Sequence, residues 1–157
     1  MWRAWLLVLI GCAEAPGPRV ALSAEEPLPE YVEAAQAWEA IDFTVELGTF
    51  GDMPECSRHW YQNDETDCQI TITIARIETR ETYGTDALSN ISQRAVAIDW
   101  RIVDRAELMT ATAHEVGHIL LDTHRHTRGG IMGGQGWKMF APWPDKQLAC
   151  MTIRRGC

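Results

Sequence analysis

The sequence predicts an α+β domain, and three observations carry that expectation. Apolar residues alternate over 41–47, 69–77 and 95–102, the period of strands with one face buried. The period then lengthens to that of a helix over 105–121. The chain has 157 residues, enough for one hydrophobic core but not for two ordinary domains.

Taken in order, Pro29 to Ala40 reads as a short helix, with Tyr31, Ala34, Ala35 and Trp38 at helical spacing. Ile41, Phe43, Val45 and Leu47 mark a strand over 41–47. Residues 48–67 lack a period and read as loop. Gln69 to Ile77 is a strand built on Ile70, Ile72 and Ile74, and a turn follows at Tyr83-Gly84-Thr85-Asp86. A short extended stretch is expected over Ala87–Ile91. Another strand is expected over Ala95–Ile102, with Val96, Ile98, Trp100 and Ile102 on one face. The helix over Arg105–Leu121 takes Asp104 as N-cap and Leu108, Ala111, Val116, Ile119 and Leu120 as its apolar side. Residues 122–143, rich in Gly, His and Pro, are irregular. A last helix starts near Pro144-Asp145, with proline in its first turn, and runs towards Ile153.

The first residues are read as a targeting segment rather than as fold. Met1-Trp2-Arg3 carries one positive charge, and Ala4–Ile10 is apolar but too short to cross a bilayer. Leu9-Ile10-Gly11-Cys12 resembles the lipobox of bacterial lipoproteins, which implies cleavage before Cys12 and a lipid on that cysteine. The organisation expected is a signal peptide over 1–11, a Pro-, Ala- and Glu-rich linker over 12–29, and one domain over 30–157. The corresponding location is the bacterial cell envelope, with membrane contact through the lipid alone. The outer membrane is favoured because Ala13, not aspartate, follows the cysteine. Secretion is the outcome if Cys12 is not lipidated.

Setting Cys12 aside leaves four cysteines of the five, an even number suited to disulfides in an oxidising compartment. Of three connectivities, Cys56–Cys68 with Cys150–Cys157 closes the shortest loops. The second pair requires the last helix to end before Cys157, because seven helical residues span roughly 10 Å, beyond disulfide reach. Gly156 is a suitable place for that end. No C-x-x-C pair is present to suggest a thiolate metal site.

The formal net charge is −8, with 17 acids against 5 bases over 12–100 and 5 against 8 from 101 onward. There is no basic stripe of the kind a nucleic-acid binder needs.

The chemistry concentrates in His114-Glu115-Val116-Gly117-His118-Ile119-Leu120-Leu121-Asp122-Thr123-His124. Side chains at i and i+4 of a helix share a face, so His114 and His118 can present imidazole nitrogens to one metal. Glu115, between them, is free to act on a water, as in the H-E-x-x-H arrangement of zinc hydrolases. A catalytic zinc needs a third protein ligand and an open position. No glutamate follows Glu115. A histidine six residues past His118 does, at His124.

These residues resemble the metzincin clan of metallopeptidases, whose pattern is H-E-x-x-H-x-x-G-x-x-H followed by a turn with methionine below the zinc. His114, Glu115, His118 and His124 match, and Met132 in Gly130-Ile131-Met132-Gly133-Gly134 stands where that Met-turn falls. The resemblance implies a twisted mixed sheet with an active-site helix, and a small C-terminal subdomain holding the Met-turn and final helix. It also implies that the stretch near Ala87–Ile91 is the edge strand on which a peptide lies. The family's glycine falls at Leu121. Leucine pays on the order of 1 kcal/mol or more in a left-handed conformation, so the turn is expected to move to Asp122, which visits that region more readily.

The function expected is zinc-dependent hydrolysis of peptide bonds, a metalloendopeptidase activity with zinc as cofactor. His114, His118 and His124 are its ligands, and Glu115 is the general base towards a metal-bound water. The partner is a peptide or protein substrate and not nucleic acid, and a monomer is expected. His126 is the substitute ligand if His124 points away. Trp137, Met139 and Phe140 are candidates for a pocket wall. The alternative is a non-catalytic zinc-binding lipoprotein of the periplasm or surface. Retention of Glu115 speaks against it, since ligation alone does not need that residue.

Overall fold

The computed structural model describes residues 17–48, 50–133, 142–155 and 157. Cys12 with the expected signal, and the expected pocket-wall residues Trp137, Met139 and Phe140, lie outside the described residues.

Five strands form one mixed sheet: β1 (Arg19–Ala24), β2 (Thr44–Leu47), β3 (Gln69–Ile77), β4 (Ala87–Asn90) and β5 (Ala95–Asp99), in the order β2-β1-β3-β5-β4. All neighbours are parallel except β4, which runs antiparallel to β5 with Ala87 opposite Ile98 and Asn90 opposite Ala95. The helices are α1 (Pro29–Ala35), α2 (Thr79–Tyr83), α3 (Arg105–Leu120) and α4 (Pro142–Ile153). Among the described residues no helix is long and apolar enough to cross a membrane.

β3 has the bounds its alternation predicts, because Ile70, Ile72 and Ile74 are driven into one buried face. β1 corrects the sequence reading. Residues 19–24 fall inside the expected linker, yet they form a strand in the middle of the sheet, with Val20, Ala21 and Leu22 almost fully buried. A parallel strand covered on both faces needs no alternation, so this short run between Pro18 and Pro27 has no period to betray it.

Two other expectations shift at aspartates. The 29–40 helix is α only to Ala35 and tightens into a 3-10 turn over Gln36–Ile41, which Asp42 ends with a φ of 71°. Strand β2 therefore starts at Thr44 rather than Ile41, while Phe43 and Val45 keep their buried side. β5 likewise stops at Asp99. The buried Asp99 carboxylate accepts the backbone N–H groups of Arg80 (2.8 Å) and Arg101 (3.0 Å), and the Ile102 N–H bonds the Asp99 carbonyl (3.1 Å). That turn leaves Trp100 55% exposed instead of on the inner face with Val96 and Ile98. The same carboxylate holds the start of α2, a helical turn without a sequence signal of its own.

α3 lies against β4, β5 and α1. Asp104 caps it by accepting the Glu107 N–H at 2.9 Å, as its sequence position predicts. Its apolar side is the expected one, and Leu108, Ala111, Val116, Ile119 and Leu120 are all buried. Trp38 packs across the helix and donates its indole N–H to the Ala113 carbonyl at 2.8 Å. Gly117 is glycine for a steric reason: a Cβ there would stand 2.2 Å from Trp38 Cζ2 and 2.5 Å from Met132 Sδ. Met132 is fully buried beneath this point.

Both expected disulfides are present. Cys56–Cys68 has a Cα separation of 4.9 Å and Cys150–Cys157 one of 5.0 Å. The second is possible because α4 ends at Ile153 and Arg154 turns left-handed, with a φ of 56°.

Candidate metal centre

Three histidines meet at the C-terminal half of α3. His114 and His118, one turn apart, sit with their rings edge to face and centroids 4.6 Å apart. His126 closes the group, its centroid 5.0 Å from His114 and 4.9 Å from His118. His114 Nε2 is 3.1 Å from His118 Nε2 and 3.1 Å from His126 Nε2, and one nitrogen from each ring lies within 4.8 Å of the others.

The tautomers of two rings follow from their partners. His114 Nδ1 lies 2.7 Å from the Ile131 carbonyl and His118 Nδ1 2.7 Å from the Thr123 carbonyl. A carbonyl only accepts, so each Nδ1 carries the proton and each neutral ring turns an unprotonated Nε2 inward. Two lone pairs then face one another at 3.1 Å with no proton between them. A cation relieves that repulsion. Two nitrogens at the usual 2.0–2.1 Å from a tetrahedral zinc stand about 3.3 Å apart, close to the spacing here. The donor set therefore fits a divalent transition metal, and the carbonyl partners are the outer supports such ligands use. Burial lowers the pKa of both rings, that of His118 to about 4, with the adjoining imidazoles adding to the effect. Both rings are thus neutral, the form that coordinates.

The third histidine of this group is His126, not His124. The turn does move off Leu121, whose φ is −89°, to Asp122, with a φ of 46°. The returning chain is then pinned at Thr127, whose N–H bonds the Met132 carbonyl (2.8 Å) and which bridges to Gly133. His126, next to that pin, is brought beside His114 and His118, although it is itself exposed. His124, three residues before it, keeps its ring centroid 6.0 Å from that of His118 and stays exposed on the cavity wall. The signal that identifies His126 lies in its nearness to Gly130-Ile131-Met132-Gly133, where the chain must come back, not in a fixed spacing from His118. That same loop returns Ile131 to hold His114.

Glu115 projects beside the histidines into a cavity of about 510 Å³, lined also by Leu88, Ser89 and Gly133. It is 7% exposed. Burial raises its pKa to about 6, and a hydrogen bond from the Ser89 side chain opposes part of that rise. A buried carboxylate with a pKa near neutrality suits proton transfer. Ser89 lies on β4, the edge strand of the sheet among the described residues, so that strand and the histidine group border one cleft. No family model matches the chain, and a search of curated proteins also finds no match.

Proposed function

We propose that the protein is a zinc-dependent peptide hydrolase in which His114, His118 and His126 hold the metal and Glu115 is the general base. The observation that carries this reading is the convergence of three histidine nitrogens, two of them unprotonated and facing inward, beside a buried carboxylate that needs no part in ligation. A zinc ion so bound supplies an acidified water and polarises a carbonyl. Glu115 takes the proton from the attacking water and returns it to the leaving amine, a task its raised pKa favours. Ser89 lines the same cavity as Glu115. β4, with no strand on its outer side among the described residues, offers backbone groups on which an extended peptide can lie as an added strand.

The metzincin resemblance supports the peptidase assignment through Met132, buried against Gly117 directly under the ligand helix. With His126 as third ligand, the spacing departs from the clan's pattern by two residues. The envelope lipoprotein suggested by Leu9-Ile10-Gly11-Cys12 is part of the same proposal, and two disulfides agree with an oxidising compartment.

The test is metal analysis of the purified protein beside a peptide-library digest. The result expected is about one zinc per chain and cleavage lost by at least about a hundredfold in Glu115→Ala, with zinc retained. Full activity in that variant removes Glu115 from the mechanism. Zinc bound without cleavage of any peptide supports the non-catalytic alternative.

A further inference from the structure

A second cavity, of about 600 Å³, adjoins the first and shares Leu88, Ser89 and His124 with it. It continues along β4 beyond the metal centre. One wall is the end of β4 and the turn to Ser92; the facing wall is Asp122–His124, directly after the ligand helix; the third is Arg58, from the disulfide-closed loop.

Arg58 is exposed and makes no ion pair among the described residues, although it shares cavity walls with Asp122 and Glu55, and Glu65 bonds its neighbour Ser57. Each of those is turned elsewhere. Asp122 accepts from the Tyr61 hydroxyl at 2.7 Å and stands 3.3 Å from His59 Nδ1. Glu55 accepts from the Thr71 N–H and hydroxyl and pairs with Arg94. Glu65 accepts from the Ser57 N–H and hydroxyl and from Asn63. The Tyr61–Asp122 bond does a second thing. It ties the loop bearing Arg58 to the turn that leaves the ligand helix, so the two walls keep a fixed separation. His124, the histidine left out of the metal group, adds an imidazole at the junction of the two cavities.

The geometry points to a carboxylate-binding subsite here: Arg58, assisted by His124, receives the acidic side chain of a peptide laid along β4, so the substrate class is peptides with Asp or Glu beside the bond presented to Glu115. This inference rests on the peptidase reading for the word substrate, but its binding component does not. A guanidinium offers a carboxylate two parallel N–H donors, which a free ammonium or amide cannot match.

The experiment uses the full-length, zinc-loaded Glu115→Ala protein and fluorescein-labelled decapeptides of a Gly/Ala/Ser frame carrying a single Glu, Gln or Lys, with binding read by fluorescence anisotropy. The Glu peptide is expected to bind about tenfold more tightly than the Gln peptide, and the Lys peptide most weakly, with the spread shrinking as salt rises. Adding Arg58→Glu reverses the order. Adding Arg58→Lys keeps the order with a smaller spread. Circular dichroism of each variant establishes that it is folded. The same peptides are then offered to the protein with Glu115 intact. Equal binding of Glu and Lys peptides overturns the subsite, whether or not cleavage occurs. A Glu preference that Arg58→Glu reverses, with no cleavage by the intact protein, upholds the subsite and overturns the peptidase reading. Failure of every peptide to bind overturns both.

Discussion

Gly117→Ala adds one methyl group to the helix that carries the candidate metal centre. The new Cβ would stand 2.2 Å from Trp38 Cζ2 and 2.5 Å from Met132 Sδ. Carbon atoms in contact stay about 3.5–4.0 Å apart, so each neighbour must retreat by about 1 Å or more. Neither has room. Trp38 is 1% exposed and its indole is fixed to the Ala113 carbonyl, and Met132 is fully buried. Overpacking of this kind costs about 1–3 kcal/mol and at times more. Alanine returns up to ~1 kcal/mol through its better helix propensity. Contacts this short put the cost at the upper end of that range, so the net loss expected is about 2 kcal/mol, or roughly 4–8 °C in Tm for a domain of this size. The displacement also acts on chemistry. Met132 follows Ile131, whose carbonyl orients His114, so a shifted Met132 disturbs the orientation of that ring. Thermal unfolding followed by circular dichroism measures the first effect, and zinc competition against a chromophoric chelator the second. An alanine variant with unchanged Tm and unchanged zinc affinity refutes the packing argument.

The remaining predictions concern other parts of the molecule. His126→Ala weakens zinc binding by more than the 10–100-fold typical of losing a supporting partner, while His124→Ala weakens it by less than about tenfold; the reverse order in a chelator competition would reinstate His124 as the ligand. Replacing both Cys56 and Cys68 with alanine frees a loop with a sequence separation of 12 residues, and denaturant unfolding should show a loss of roughly 3 kcal/mol. Burial acts to raise the Asp99 carboxyl, but the N–H groups of Arg80 and Arg101 and their guanidinium charges outweigh it and hold the carboxyl below the ordinary carboxylate range. A depressed value means that its stabilisation is complete above the unfolded pKa of about 3.9 and is lost as pH falls through the folded value. The stability difference between the parent protein and Asp99→Asn should therefore be constant near neutrality and close progressively in acid below about pH 4, as measured by denaturation at stepped pH.

The parts of this fold legible in the sequence are those where one face is wet. β3, α3 with its Asp104 cap, and the α1 region declare themselves because buried and exposed residues alternate at a fixed period. β1 is covered on both sides, so Val20, Ala21 and Leu22 form a run without a period. Of the site, His114, Glu115 and His118 are set by local helix geometry and could be read directly. The third histidine depends on how the chain returns, and that is decided at a distance, by the pairing of Thr127 with Met132 and Gly133. Moving the left-handed turn from the family's glycine position to Asp122 was legible; the two-residue shift in which histidine arrives was not.

The placement of β1 has a kinetic consequence. It is the first strand of the described chain, yet its partners come later: Arg19 pairs with Thr44 on one side and with Gln69, some fifty residues downstream, on the other. Parallel pairings at such separations must close long loops before they gain any stabilisation, and they slow folding accordingly. During that interval the apolar strand has both edges open and is exposed to pairing with other chains. Closure of the Cys56–Cys68 loop, immediately ahead of β3, shortens the search by holding the start of β3 near Glu55, with which Gln69 bridges. Refolding from the reduced state should therefore be slower and more prone to aggregation than refolding with that disulfide intact.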